Sequence, residues 1–189
     1  MTTASNTKEK IVELGRDFVQ EIGYHAFKYQ LIAQQLNIKN AAIHHYFPNK
    51  EDLGIAIIEK DIEDFKFIEK TFNNSTATEK AEGLLQYYQA SFAAGKNLCI
   101  VGACMSAYKD IPERMQVASK NYQEYILSWL TNVFKQGVKS GEFKLTTTPE
   151  DQAALWIATL PGALQVAQIR GEAYMNQVLN ALRLIWRKH

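Results

Sequence analysis

Hydrophobic positions recur along almost the whole chain at helical spacing. Ile11, Leu14, Phe18 and Ile22 form one stripe, with Asn6 and Glu9 as a capping box ahead of it and Gly23 as a stop behind it. Ile32, Ala33 and Leu36 mark a short second helix, and Ile43 and Phe47 anchor a third. Pro48-Asn49 punctuates the chain. Asn49, with Asp52 three residues on, then opens a fourth helix carrying Leu53, Ile57, Ile58, Ile62, Phe65 and Ile68. The polar run NNSTAT ends it, and Thr76 with Glu79 forms a second capping box before Leu84, Leu85, Tyr88 and Phe92. A short helix is predicted over 101–108. Pro112, in a first-turn position, opens a long helix along Met115, Ala118, Tyr122, Tyr125, Trp129 and Val133, which Gly141 ends. Thr148, Pro149 and Asp151 start a helix running to about Gly171, and a last helix carries Val178, Leu182 and Ile185. Pro161, followed by Gly162, falls inside the eighth helix and is expected to kink it. No strand pattern of any length appears, and VKSGEFKLTTT reads as a loop. The fold class is therefore all-α.

The second and third helices have the requirements of a helix-turn-helix. The first must be thin where the second crosses it, and Ala33 is small. The turn needs a residue that tolerates positive φ, and Asn37 stands there. Ile32, Leu36, Ile38, Ile43 and Phe47 can fill the small core between the helices. That leaves Lys39, Asn40, Ala41, Ala42, His44, His45 and Tyr46 on the outside, about two turns of helix and enough to enter a major groove. Lys28, Tyr29 and Gln30 at the start of the first motif helix, and Lys50 at the start of the fourth helix, complete the candidate nucleic-acid surface. No acidic residue occurs between Lys28 and Lys50. We place the DNA-binding domain at 1–48, as an N-terminal three-helix unit, and a larger C-terminal helical domain at 49–189.

Composition narrows the remaining classes. The chain has 189 residues, 47% of them hydrophobic, and a net charge of +1, so a sizeable core is available and any basic surface must be local. No apolar run could span a bilayer, and the opening MTTASNTKEK lacks the apolar stretch of a secretory signal, which points to the cytoplasm. Cys99 and Cys104, five residues apart on one helix, point to different faces and read as buried, inert thiols. The four histidines have no metal-ligand spacing, since His44 and His45 are adjacent and cannot face each other on a helix. No phosphate loop, nucleophile elbow or paired-carboxylate arrangement occurs, so neither an enzyme nor a cofactor is expected. The C-terminal part is rich in aromatics that could line an apolar cavity for a lipophilic ligand. The candidates are Phe65, Tyr88, Met105, Tyr108, Tyr122, Tyr125 and Trp129. Few acids stand near them in the chain, so no cationic ligand is indicated. Aromatics at helical spacing serve a simple core equally well.

The run GYHAFKYQLIAQQLNIKNAAIHHYFPNKEDL resembles the DNA-binding signature of the tetracycline-repressor (TetR/AcrR) family of bacterial regulators. Gly23, Ile32, Ala33, Phe47, Lys50 and Leu53 stand where the family pattern has them. Three positions depart from it: Lys28 replaces a capping hydroxyl residue, Ala42 a hydroxyl residue that touches DNA, and His44 the common aromatic. The resemblance implies a homodimer that binds a palindromic operator, represses transcription and lets go when a small molecule enters the C-terminal domain. It implies a phosphate contact from Lys50. It also implies a four-helix dimer interface from helices at about 149–170 and 172–187, which would use Leu155, Thr159, Gly162, Val166, Val178, Leu182 and Ile185. The alternative is a helical bundle of the same fold that binds a small molecule but has lost specific DNA binding.

Overall fold

The computed structural model describes residues 2–95, 100–105 and 108–184, all of them helical or in connecting turns. The helices are α1 (Thr2–Ala26), α2 (Tyr29–Leu36), α3 (Asn40–Tyr46), α4 (Lys50–Thr71), α5 (Ala77–Ala93), α6 (Ile100–Met105), α7 (Glu113–Ser140), α8 (Pro149–Arg170) and α9 (Glu172–Arg183). Cys99 and Ile185 lie outside the described residues, as do the side chains of Cys104 and Met105. Among the described residues no helix is long and apolar enough to cross a membrane.

The chain packs as two compact units, the described residues of Met1–Lys66 with Leu98–Tyr122 and those of Phe67–Asn97 with Gln123–His189. In the first, Ile11, Phe27, Ile32, Ile43, Leu53, Ile57 and Ile58 are buried, with Ile100 and Met115. The sequence stripe on α1 is rotated in the structure. Ile22 is 45% exposed, and the buried face runs through Ile11, Gly15 and Val19. Gly15 is the cause: a Cβ there would stand 3.0 Å from Ile57 Cδ1, so the missing side chain lets α4 close on α1. Helix α1 also begins at Thr2, ahead of Asn6, so Asn6 does not cap it. Gly23, at φ 80 and ψ 160, interrupts its helical geometry before the last turn, a conformation that glycine adopts without a Cβ clash. Asp61, 4% exposed, is held by the Arg16 guanidinium at 2.6 Å, which compensates a carboxylate that burial alone would destabilise.

In the second unit Trp156, Phe134, Leu85, Leu130 and Leu164 form the core. Phe134 meets Trp156 edge-to-face at 5.2 Å. The capping box expected at Thr76 and Glu79 is present, with the Thr76 hydroxyl accepting from Glu79 N and the Glu79 carboxylate accepting from Thr76 N. Glu142 adds to it from the loop after α7: its carboxylate accepts from Thr78 N at 2.8 Å and from the Ser140 hydroxyl at 2.6 Å. These bonds outweigh burial and hold its carboxyl at about 2, below the ordinary 4.5. Thr148 caps α8 through Asp151 N, as the sequence suggests, and α8 continues as helix through the buried Pro161.

Candidate nucleic-acid interface

Helices α2 and α3 are joined by Asn37 at φ 53 and ψ 45, the left-handed conformation expected of the turn. Ile38 N donates to Ala33 O at 3.0 Å, closing the end of α2, and α3 begins one residue beyond Lys39. Ile32, Ala33, Ile43 and Phe47 are buried between the helices. The N-cap residues of both helices are lysines, Lys28 and Lys39, and neither helix has a side-chain cap hydrogen bond. Each N-terminus thus has a cation where an acceptor usually stands; Leu31 N and Ala42 N bond back to the N-cap carbonyls at 3.0 and 2.9 Å, and the N–H groups ahead of them have no side-chain cap.

Of the residues singled out from sequence, Lys28, Gln30, Lys39, Ala41, His44 and His45 are exposed, and Tyr29, Asn40, Ala42, Tyr46 and Lys50 are half-buried. A groove of about 380 Å³ brings together Lys28, Gln30, Asn40, His44 and Lys50. Tyr29 works inward as well. Its phenol donates to Phe47 O at 3.0 Å and to Asn49 O at 2.7 Å, tying the start of α2 to the corner between α3 and α4. Burial, then the nearby Asp52 charge, pushes that phenol above its ordinary range. The ring meets His44 edge-on at 4.9 Å. His44 Nδ1 lies 3.2 Å from Pro48 O, so Nδ1 carries the proton and Nε2 is the ring's free nitrogen.

Lys50 is only partly turned outward. Its ammonium donates to His25 O at 3.2 Å and lies over the Tyr24 and Phe27 rings at 4.7 and 4.6 Å. Burial, then the like charge of Lys28, holds its pKa below the ordinary lysine value. An ammonium has three N–H groups, so two remain for a phosphate. Sequence reasoning missed Tyr24, His25 and Phe27 as its seat. Aromatics more than twenty residues away give no local signal.

The other candidate residues fall elsewhere. Phe65 and Tyr122 are buried in the first unit, where the Tyr122 phenol donates to Asp61 O at 3.4 Å, and Tyr108 is exposed. Tyr88, Tyr125 and Trp129 belong to the second unit. Tyr88 stacks edge-to-face on Tyr87 at 5.6 Å, and the Tyr125 phenol donates to the Glu69 carboxylate. One acid, Glu69, therefore stands beside this group. Burial, with Glu69 beside it, pushes the Tyr125 phenol up to about 12. Along α8, Leu155 (52%) and Val166 are exposed and Thr159 and Gly162 half-exposed, and Ile169, at 88%, extends the same stripe. Val178 of α9 is half-buried. Leu182, only 5% exposed, packs into its own unit and has little surface to offer a second copy, while Ala181 and Leu184 beside it are exposed.

These features define a helix-turn-helix protein whose α3 has an outward, acid-free face. Residues 11–57 match the model of the bacterial regulatory proteins of the tetR family. A fatty acid metabolism regulator protein from Bacillus subtilis is 27% identical over 139 residues, 71% of this chain and 70% of that protein. A TetR-family transcriptional regulator from Agrobacterium tumefaciens superposes with a TM-score of 0.91 at 26% identity, over 98% of this chain and 100% of that one. A TetR transcriptional regulator from Legionella pneumophila does so with 0.87 at 27% identity, over 99% and 100%. Residues 11–57 are thus similar to the DNA-binding part of the tetR family, and the whole chain has the fold of these TetR-family regulators. It is a transcriptional regulator and not an enzyme.

Proposed function

We propose that the chain acts in the cytoplasm as a homodimeric repressor whose two α3 helices read the halves of a palindromic operator, and that a small lipophilic effector releases it. The observation that carries this reading is the outward face of α3 beside two lysine-headed, uncapped helix N-termini, in a stretch without acids. Phosphates meet Lys28, Lys39 and the two free N–H groups of Lys50, and the α3 residues Asn40, Ala41, Ala42, His44, His45 and Tyr46 face base edges. With Nδ1 donating to Pro48 O, Nε2 of His44 is the ring nitrogen left to meet a base edge in the major groove. Residues 1–48 do the reading, and 49–189 carry the effector site and the dimer interface.

The exposed stripe Leu155, Thr159, Gly162, Val166 and Ile169 on α8 supports dimerisation, because its spacing suits a helix seam and water is a poor partner for it. Two comparisons support the effector class. The Bacillus subtilis relative is a fatty acid metabolism regulator, and the regulator FadR from Bacillus subtilis, of the same fold, has been solved in complex with stearoyl-CoA. The aromatic set Tyr88, Tyr125 and Trp129 of the second unit is the apolar surface we assign to such a ligand.

Binding of the full chain to a library of short duplexes at two salt concentrations tests the proposal. An enriched palindrome bound by a dimer is expected. Weak binding without sequence preference would overturn specific reading and leave a ligand-binding bundle. Stearoyl-CoA added to the selected complex then tests the effector: release is expected, and an unchanged complex excludes this class.

A further inference from the structure

The corner between α3 and α4 is three residues long, Phe47, Pro48 and Asn49, and each of its carbonyls is taken by a side chain of the reading head. Tyr29 donates to Phe47 O at 3.0 Å and to Asn49 O at 2.7 Å, and His44 Nδ1 donates to Pro48 O at 3.2 Å. The seven residues of α3 are thus oriented by this corner. The corner is in turn held from α4. Asp52 Oδ2 accepts from Asn49 N at 3.2 Å and from Asn49 Nδ2 at 3.3 Å. The other oxygen, Asp52 Oδ1, accepts from Arg114 Nη1 at 3.0 Å, and Glu51 stands 3.8 Å from the same nitrogen. Arg114 lies on the first turn of α7, 62 residues further along the chain.

We propose that Arg114 is a positioning residue for DNA reading: its guanidinium orients the Asp52 carboxylate, which sets the Asn49 corner and through it the angle of α3 and the free nitrogen of His44. This rests on the reading of α3 as the DNA-contacting helix. Three things favour it over a plain surface ion pair. Asp52 is shared between two jobs, one oxygen per partner. The Arg114 hydrogen bond is the largest cause of the lowered Asp52 carboxyl, ahead of the bonds from Asn49. And the chain of bonds ends on an imidazole whose Nδ1 is already committed, so a change at the corner moves Nε2 rather than being absorbed by ring rotation.

The test uses the full-length chain as Arg114→Gln, Asp52→Asn, the double variant and Arg114→Lys. In the DNA-free protein, Arg114→Gln should shift the NMR signals of the Asn49 side-chain amide and the His44 ring nitrogens while leaving those of Ala33 and Ile43 in place. On the selected duplex, affinity should fall about threefold to tenfold for a two-subunit complex, the scale of an exposed ion pair lost twice. The salt dependence should stay unchanged, because Arg114 touches no phosphate, and the loss should be smaller on non-specific DNA. The double variant should lose no more than Asp52→Asn alone, since that substitution already cuts the link to Arg114. Arg114→Lys should restore part of the affinity. Unmoved Asn49 and His44 signals overturn the proposal whatever the DNA result, and so does a flatter salt slope in Arg114→Gln. A wild-type chain that selects no duplex sinks the functional reading instead, and the NMR comparison still decides the positioning role.

Discussion

Lys28 and Lys39 are exposed N-cap residues with no bond from their side chains to the helices they head, so replacing either with alanine removes a charge and little else. If each meets one phosphate, the slope of log affinity against log salt should flatten by about 0.9 per contact. A homodimer doubles this to about 1.8 for each substitution. Over a fourfold rise in salt, the gap between wild type and variant should then narrow about tenfold. Lys50→Ala should behave differently. It also removes the bond to His25 O and the cation over the Tyr24 and Phe27 rings, so it should lower the melting temperature where Lys28→Ala and Lys39→Ala do not. The assay is fluorescence anisotropy on the selected duplex from low to moderate salt, with a thermal melt of each free variant. Lysine variants with wild-type salt slopes would refute the phosphate assignment, and an unaltered melt for Lys50→Ala would refute the seat described for it.

Glu142→Gln should destabilise the second unit by about 1–2 kcal/mol, less than its full pKa shift implies because the group is partly solvated. The folded carboxyl sits at about 2 against an ordinary 4.5, so this contribution is complete above the ordinary value and fades as pH falls toward 2; urea melts across acid pH should show wild type and variant converging there. Gly137→Ala places a Cβ 2.1 Å from Phe143 Cδ2, against a ring that cannot fold aside, and should cost about 1–3 kcal/mol in a thermal melt. Asn37→Gly should keep the turn and DNA binding, whereas Asn37→Val, forced to φ 53, should lose about 1–2 kcal/mol and weaken binding with it. Ile169→Asp, at a position 88% exposed, should leave the subunit folded but shift sedimentation from dimer to monomer; a dimer that survives it and Leu155→Asp places the interface elsewhere.

Much of the fold is legible in the sequence because helices are local objects. The Thr76–Glu79 box, the Thr148 cap and the left-handed Asn37 each depend on residues within one turn of one another, and all three are found where the sequence puts them. The reading helix is legible for the same reason, since Ile43 and Phe47 point one way and the polar residues between them point the other. What the sequence cannot express is which distant atom completes a local feature. The buried face of α1 turned because Gly15, which carries no hydropathy signal, lets Ile57 approach. Lys50 is partly withdrawn from solvent by a carbonyl 25 residues away, and Tyr29 spends its phenol on carbonyls 18 and 20 residues on. Leu182, which the family resemblance implies for the interface, faces its own core. Periodicity sets which residues share a helix face; only the packing of helices far apart in the chain decides which face is covered, and which lone pair or N–H is left for DNA.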